Sequence, residues 1–284
     1  MTVAQHSDTW KVRRTARKRR RLAVWLAGHG IEIGALHRPL RVPAGAHVRY
    51  VDRMAETELR QHYPELAGQR FAPVSIIGSA YDLSQVADDS LDFVIANHLV
   101  EHLDYPIKGL REFARVLRPD GVLYMALPDA RVGIDQGRPL TTLEHLVEEH
   151  RSGADRNRRQ HYLDWVVLSE KQLGEPEKRA AWLMEMDYSI HFHVWRPDTF
   201  LDFLLAAKRE ANLPLNVVAF APPEFVGDDE FILVLVKGSG DRVPLPPGSE
   251  RRTVRQRIGQ STLGPVLRPI YRKGKAAAKR VRHR

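Results

Sequence analysis

The 284-residue chain contains no cysteine, which excludes disulfides, thiolate nucleophiles, iron–sulfur clusters and cysteine-ligated zinc. A reducing compartment is compatible with that. Long apolar runs are missing too. The stretch Leu22-Ala23-Val24-Trp25-Leu26-Ala27 falls far short of the roughly 20 residues a membrane-spanning helix needs. No transmembrane segment is expected, and without an A-x-A cleavage pattern the basic run before that stretch does not make a secretory signal. Aromatic residues are scarce at the basic C-terminal end, where Tyr271 stands alone from 241 to 284. Base-stacking on nucleic acid is therefore not expected there.

What is present is an ordinary globular composition, 43% apolar and 28% charged, with the charge unevenly placed. Residues 1–21 carry eight Lys/Arg against one acid, and residues 241–284 carry 13 against two. The formal net charge of +9 thus hides a body, residues 22–240, with 32 acids and 23 bases. Segregation of this kind speaks to what the ends touch rather than to the chemistry of the body. The first reading of each end is a solvated extension. The second is an anionic membrane surface or an acidic partner, which would place a cytoplasmic protein at the inner membrane face. The expected organisation is a basic N-terminal helix or tail over 1–28, one domain over 29–240 and a disordered basic tail over 241–284. A chain reduced to 22–240 is expected to fold.

Between 29 and 128, short β-branched runs alternate with helical patterns, the signature of a parallel sheet covered by helices. The strands are Gly30–Ile33, His47–Val51, Val74–Ile77, Asp92–Ala96 and Gly121–Leu127. Their lack of strict polar alternation fits burial of both faces. Asp104 and Pro106 start a helix whose apolar Ile107, Leu110, Phe113, Ala114 and Leu117 recur at three- and four-residue steps, and Pro119 ends it. Residues 129–195 read as helices, including 142–151, 155–170 and 176–186. A further helix from Pro197 to Asn212 precedes two strands, Asn216–Phe220 and Glu230–Lys237.

The first strand ends in Gly30-Ile31-Glu32-Ile33-Gly34-Ala35, and the second in Val51-Asp52-Arg53. A glycine just past a strand lets the backbone approach a ligand at the carboxyl edge of the sheet, and an acid there can accept hydrogen bonds from ribose hydroxyls. The structural alternatives are a plain strand end and a helix cap at Asp52.

The stretch Leu91-Asp92-Phe93-Val94-Ile95-Ala96-Asn97-His98-Leu99-Val100-Glu101-His102, followed by the helix and Leu117-Arg118-Pro119-Asp120-Gly121, resembles the fourth-strand motif of class I S-adenosylmethionine-dependent methyltransferases. The resemblance runs in order from about 29 to 128, with the two closing strands consistent. It implies an α/β, Rossmann-like seven-stranded sheet, its last strand antiparallel, with a helical cap inserted after the fifth strand over 129–195. The implied cofactor is S-adenosyl-L-methionine. By position, Glu32, Gly34 and Ala35 would lie along its methionine and ribose, and Asp52, with Arg53 beside it, at the ribose hydroxyls. Ala80, Tyr81 and Asp82 would lie at the adenine, with Asn97 and His98 on the methionine side. The chain departs from the family in keeping only the first glycine of the loop and in placing Ser79 where an acid usually contacts adenine. Its Glu-Ile-Gly loop with Arg38-Pro39, its Pro128-Asp129 with Asp135, and its His191-Phe192-His193 are similar to a bacterial subset associated with sugar and cell-surface glycans.

Candidate catalytic groups are His98, Asp129, His191 and His193, a histidine base removing a hydroxyl proton while a carboxylate orients it. Packing, hydrogen bonding and capping are the structural alternatives. The four-residue spacing of His98 and His102 is read as hydrogen bonding rather than a metal pair, so no metal is expected. The implied function is O-methylation of a sugar or other small hydroxyl-bearing acceptor. Two competing readings are a nicotinamide-dependent oxidoreductase, disfavoured by the missing G-x-G-x-x-G, and a non-catalytic binding module recruited through its basic ends.

Overall fold

The computed structural model describes residues 3–238 apart from 67 and 173, together with 246 and 247. The basic tail expected over 241–284 otherwise lies outside the described residues. Seven strands form one sheet: β1 (Gly28–Ile33), β2 (Ala46–Asp52), β3 (Val74–Ile77), β4 (Leu91–Asn97), β5 (Leu117–Pro128), β6 (Leu215–Ala221) and β7 (Glu230–Lys237), in the order β3-β2-β1-β4-β5-β7-β6. Pairing is parallel from β3 through β5, and β7 runs antiparallel to both β5 and β6. The expected topology is present, with its antiparallel last strand. The strand order reverses between β1 and β4, and open α/β sheets collect ligands at the carboxyl edge beside such a reversal. β5 begins four residues earlier than the sequence predicts. Leu117 pairs with Leu91 before a register shift that brings Val122 opposite Phe93.

Helices α1 (Val3–Leu22), α2 (Glu56–His62), α3 (Pro106–Val116), α4 (Leu143–Ser152), α5 (Asp155–Asp164), α6 (Pro176–Glu185) and α7 (Pro197–Glu210) complete the chain. Alternate side chains of the central strands go to opposite faces. Ile31, Val94, Leu123 and Leu233 pack with Phe113 of α3 and Phe200 of α7. Phe93, Ile95, Tyr124 and Val234 pack with Leu22, Trp25, Leu26 and Leu40. At Gly30 a Cβ would come within 2.3 Å of the Phe93 backbone oxygen, so β1 approaches β4 more closely than any side chain allows.

A loop and a corrected expectation about the N-terminal segment both rest on buried charge. The β1–β2 connection, residues 34–45, carries no helix. The buried Glu32 carboxylate accepts the Leu40 N–H at 3.0 Å and folds the loop back, so the end of α1 and the Trp25 turn cover that face instead. The N-terminal segment is also not a solvated extension throughout. Lys18 is 1% exposed, and its ammonium donates to both Asp228 oxygens at 2.6 Å and to the Glu230 carbonyl at 2.7 Å. Arg19 donates to the Glu230 carboxylate at 2.5–3.1 Å. A chain cut to 22–240 would lose both anchors and leave two buried carboxylates without their cations. No helix among the described residues is long and apolar enough to cross a membrane.

Candidate active site

A cavity of about 330 Å³ opens at the carboxyl edge where the strand order reverses. Its floor is the sheet: Ile33 and Gly34 at the end of β1, Asp52 and Arg53 at the end of β2, Gly78 to Tyr81 after β3, and His98 and Leu99 after β4. Its far wall is the helical insert, with Arg158, Tyr162, Tyr188, Ser189 and Phe192.

The turn after β1 explains how one glycine suffices. Gly34 has φ of +67°, and its N–H donates to the Val51 carbonyl at 2.9 Å. Leu36 is also left-handed, at φ +45°, a conformation that is costly for a branched side chain. The Ala72 N–H donates to its carbonyl at 2.6 Å, and Glu32 clamps the loop four residues on, so the conformation is held from both sides. Burial pushes the Glu32 carboxyl up to about 7, against its bond from Leu40 and the charge of Arg19. Asp52 is nearly buried, and burial raises its carboxyl to about 6 although the Arg53 N–H donates to it at 2.8 Å.

Of the ten residues expected around the cofactor, Gly34, Asp52, Arg53, Ala80, Tyr81 and His98 line the cavity. Glu32 and Asn97 lie behind it, bonded to each other at 3.4 Å, and Ala35 is on the loop but not on the wall. Asp82 points elsewhere, its exposed carboxylate accepting the Ser84 N–H. Tyr81 instead donates to Asp104 at 2.7 Å and accepts the Tyr105 N–H at 2.9 Å.

Among the four candidate catalytic groups, only His98 reaches the cavity. It sits at φ +45° just past β4, its side chain 36% exposed. Its Nε2 lies 3.0 Å from Glu230 and its Nδ1 3.5 Å from Glu101. The surrounding protein opposes charge on the ring, but the bond to Glu230 and the charge of Glu101 prevail and raise its pKa. Burial alone would raise Glu230, yet the bonds from His98 and Arg19 hold its carboxyl down at about 2. Arg19 therefore braces the acid that orients His98.

The other three are corrected. Asp129 is buried and engaged by the Arg131 guanidinium at 2.6–3.2 Å. His191 Nδ1 lies 2.6 Å from Asp135, which also accepts Arg138. His193 is fully buried beside Glu149, His145 and His161. His102 donates through Nδ1 to the Ile190 carbonyl at 2.8 Å, consistent with its structural reading. Burial and the neighbouring His191 lower its pKa to about 3.

Residue spacing missed the far wall. Arg158 pairs with both Asp104 and Asp187, and Arg53 donates to Asp187 at 2.5 Å. This chain of ion pairs clasps the insert to the sheet edge, and its members lie as many as 134 positions apart in sequence, beyond the reach of any local pattern.

Comparison with known proteins bears on the sheet half of this site. Residues 28–125 match a family described as a methyltransferase domain. A search of curated proteins finds no match. Among solved structures, the chain is similar to a carbon methyltransferase, CurJ, at 14% identity over 76% of this chain and 50% of that one, with a TM-score of 0.41. The chain thus spans half the length of that relative. It is also similar to an S-adenosylmethionine-dependent methyltransferase from Aquifex aeolicus, at 15% identity over 76% and 86% of the two chains with a TM-score of 0.42. A third is the N-methyltransferase NodS from Bradyrhizobium japonicum, at 10% identity over 82% and 99%, also with a TM-score of 0.42. The family match falls on the strands whose carboxyl ends form the cavity floor, so residues 28–125 are similar to a methyltransferase domain, in line with the S-adenosylmethionine cofactor that the sequence implies.

Proposed function

We propose that the chain methylates a hydroxyl group of a small acceptor, a sugar or similar polyol, with His98 as general base. The observation that carries this reading is the placement of His98 in the cavity, with Nε2 held by Glu230 at 3.0 Å while Nδ1, 3.5 Å from Glu101 and not hydrogen-bonded to it, is left to take a proton. When bound, the cofactor supplies an electrophilic methyl group, so the protein must bind, align and deprotonate. Gly34 admits a ligand close to the backbone, since even a Cβ there would meet only Leu99, at 3.4 Å. Asp52 would accept the ribose hydroxyls, and Ala80 with Tyr81 would bound the adenine. His98 would take the acceptor proton, and the ionised Glu230 beside it would stabilise the resulting imidazolium. Arg158 and Asp187 on the opposite wall, with Arg53 at the edge of the floor, give hydrogen-bonding groups suited to vicinal hydroxyls. The nicotinamide and binding-module readings find no support in the family match.

Mass-spectrometric detection of methyl transfer to a panel of sugars, other alcohols, amines and carbon acids tests the acceptor class. His98→Asn should lower turnover on the accepted substrate about 10²–10⁴-fold, while S-adenosylhomocysteine affinity stays within tenfold. Unchanged turnover would remove the base from His98, and methylation confined to amines would overturn the hydroxyl assignment.

A further inference from the structure

We infer that the helical insert contains a binding site for one divalent transition-metal ion, of the zinc type, formed by His145, Glu149, His161 and His193. One ligand atom from each of these residues falls within 4.8 Å of all the others. Thr142 caps α4 by accepting the His145 N–H at 3.2 Å. The helix thereby starts where His145 and Glu149, four residues apart, share one face. α5 delivers His161, and the extended segment before α7 delivers His193.

The separations are those of ligands around a common centre. His145 Nε2 and His161 Nε2 face each other at 3.2 Å, each is 2.9 Å from Glu149 Oε1, and His193 Nε2 is 3.5 Å from Glu149 Oε2. A tetrahedral ion with bonds of about 2.0–2.1 Å sets its ligand atoms about 3.3 Å apart. Hydrogen bonding accounts for the cluster less well. His193 Nε2, the nitrogen that faces the cluster, and Glu149 Oε2 are buried with no hydrogen-bond partner among the described residues. Native interiors rarely leave such groups unpaired. The surroundings offer little else, since His193 packs on Trp195 and His161 on Phe192. Three neutral imidazoles and one carboxylate match the nitrogen and oxygen preference of zinc and its neighbours rather than the all-oxygen preference of calcium or magnesium. With all four positions taken by protein, the ion would be structural. It would tie together three segments spread over 145–193. Phe192 and Tyr162, adjacent in sequence to two of the ligands, line the cavity, so the ion would also set its far wall. The site stands whether or not the hydroxyl acceptor is correct.

The test uses untagged full-length protein, dialysed free of loose metal, with elemental analysis and thermal melting. About one zinc per chain should be present or taken up on addition of zinc chloride, and chelator should lower the melting temperature reversibly. Cobalt(II) in its place should give the intense visible bands of a tetrahedral ion. Glu149→Gln and His145→Ala should each weaken zinc binding at least 100-fold. Glu148→Gln, on the same helix but exposed, should retain it. His145 is half-exposed, so its variant remains informative if changes at the buried positions prevent folding. A wild-type chain that neither carries zinc nor binds it stoichiometrically would overturn the site, as would loss of zinc from Glu148→Gln equal to that from Glu149→Gln.

Discussion

The two halves of the molecule bury polar groups in opposite ways. On the N-terminal and sheet side, Lys18 meets Asp228, Arg19 meets Glu230 and Glu32 holds Leu40, so each of these buried charges has a hydrogen-bonded counterpart. In the insert, His193, Glu149 and the indoles of Trp165 and Trp195 leave buried polar atoms without partners among the described residues. The first pattern makes a rigid floor that positions ligand-facing groups. The second is the surroundings of the proposed ion site. At the seam between them, Asn97 and Glu101 also bury unpartnered oxygens, directly behind the cavity.

Breaking the satisfied side is expected to have the largest effect. Lys18→Ala leaves Asp228 buried without its cation, a change that costs about 3–5 kcal/mol. Denaturant titration should report that loss, together with release of α1 from the sheet in limited proteolysis. The double change Lys18→Met with Asp228→Leu removes both charges and should recover most of the stability, because an apolar pair of similar volume needs no desolvation. Loss below about 1 kcal/mol in the single variant would mean that the N-terminal helix is no part of the cooperative unit.

Legibility followed the same division. The strands were readable because β-branched runs, turn glycines and helix caps act locally, and the ordered motifs from Glu32 to Gly121 reproduce a family pattern. Gly34, Asp52 and His98 were expected at the carboxyl edge for that reason, and they line the cavity there. Asp82, Asp129, His191 and His193 do not line the cavity, because sequence position past a strand says nothing of where a side chain turns. Asp129 meets Arg131 two residues on, and His191 swings to Asp135 across 56 positions. The role of the basic N-terminal residues was hidden because charge density suggests solvent, whereas partners for Lys18 and Arg19 appear only when β7 has folded beside them. The His145–His193 cluster likewise needs three segments brought together.

A smaller effect is expected at the cavity floor. Asp52→Ala should weaken S-adenosylhomocysteine binding by about 1.5–3 kcal/mol, the cost of hydrogen bonds to a charged acceptor, with little change in melting temperature of the free protein. Calorimetry measures both. Unaltered affinity would move the ribose elsewhere on the floor and leave Asp52 as a spectator of the Arg53 turn.

The smallest effect is a pH dependence, and its sign follows from the same residue. Burial raises the Asp52 carboxyl to about 6 in the free protein. Hydrogen bonds from ribose hydroxyls favour the ionised form, so binding lowers that value and is linked to loss of a proton. Affinity for S-adenosylhomocysteine should accordingly be level above pH 7 and fall below 6, by about tenfold between pH 7 and 5 for a single proton. Asp52→Asn should bind more weakly at pH 7 but with a flat profile over that range. Glu32, pushed up to about 7, titrates nearby, yet it faces Leu40 rather than the cavity. Glu32→Gln should therefore retain the slope that Asp52→Asn abolishes. The reverse result would place the sensitive proton on the loop clamp, and cofactor affinity would then depend on how firmly the β1 turn is held rather than on a direct contact with the ribose.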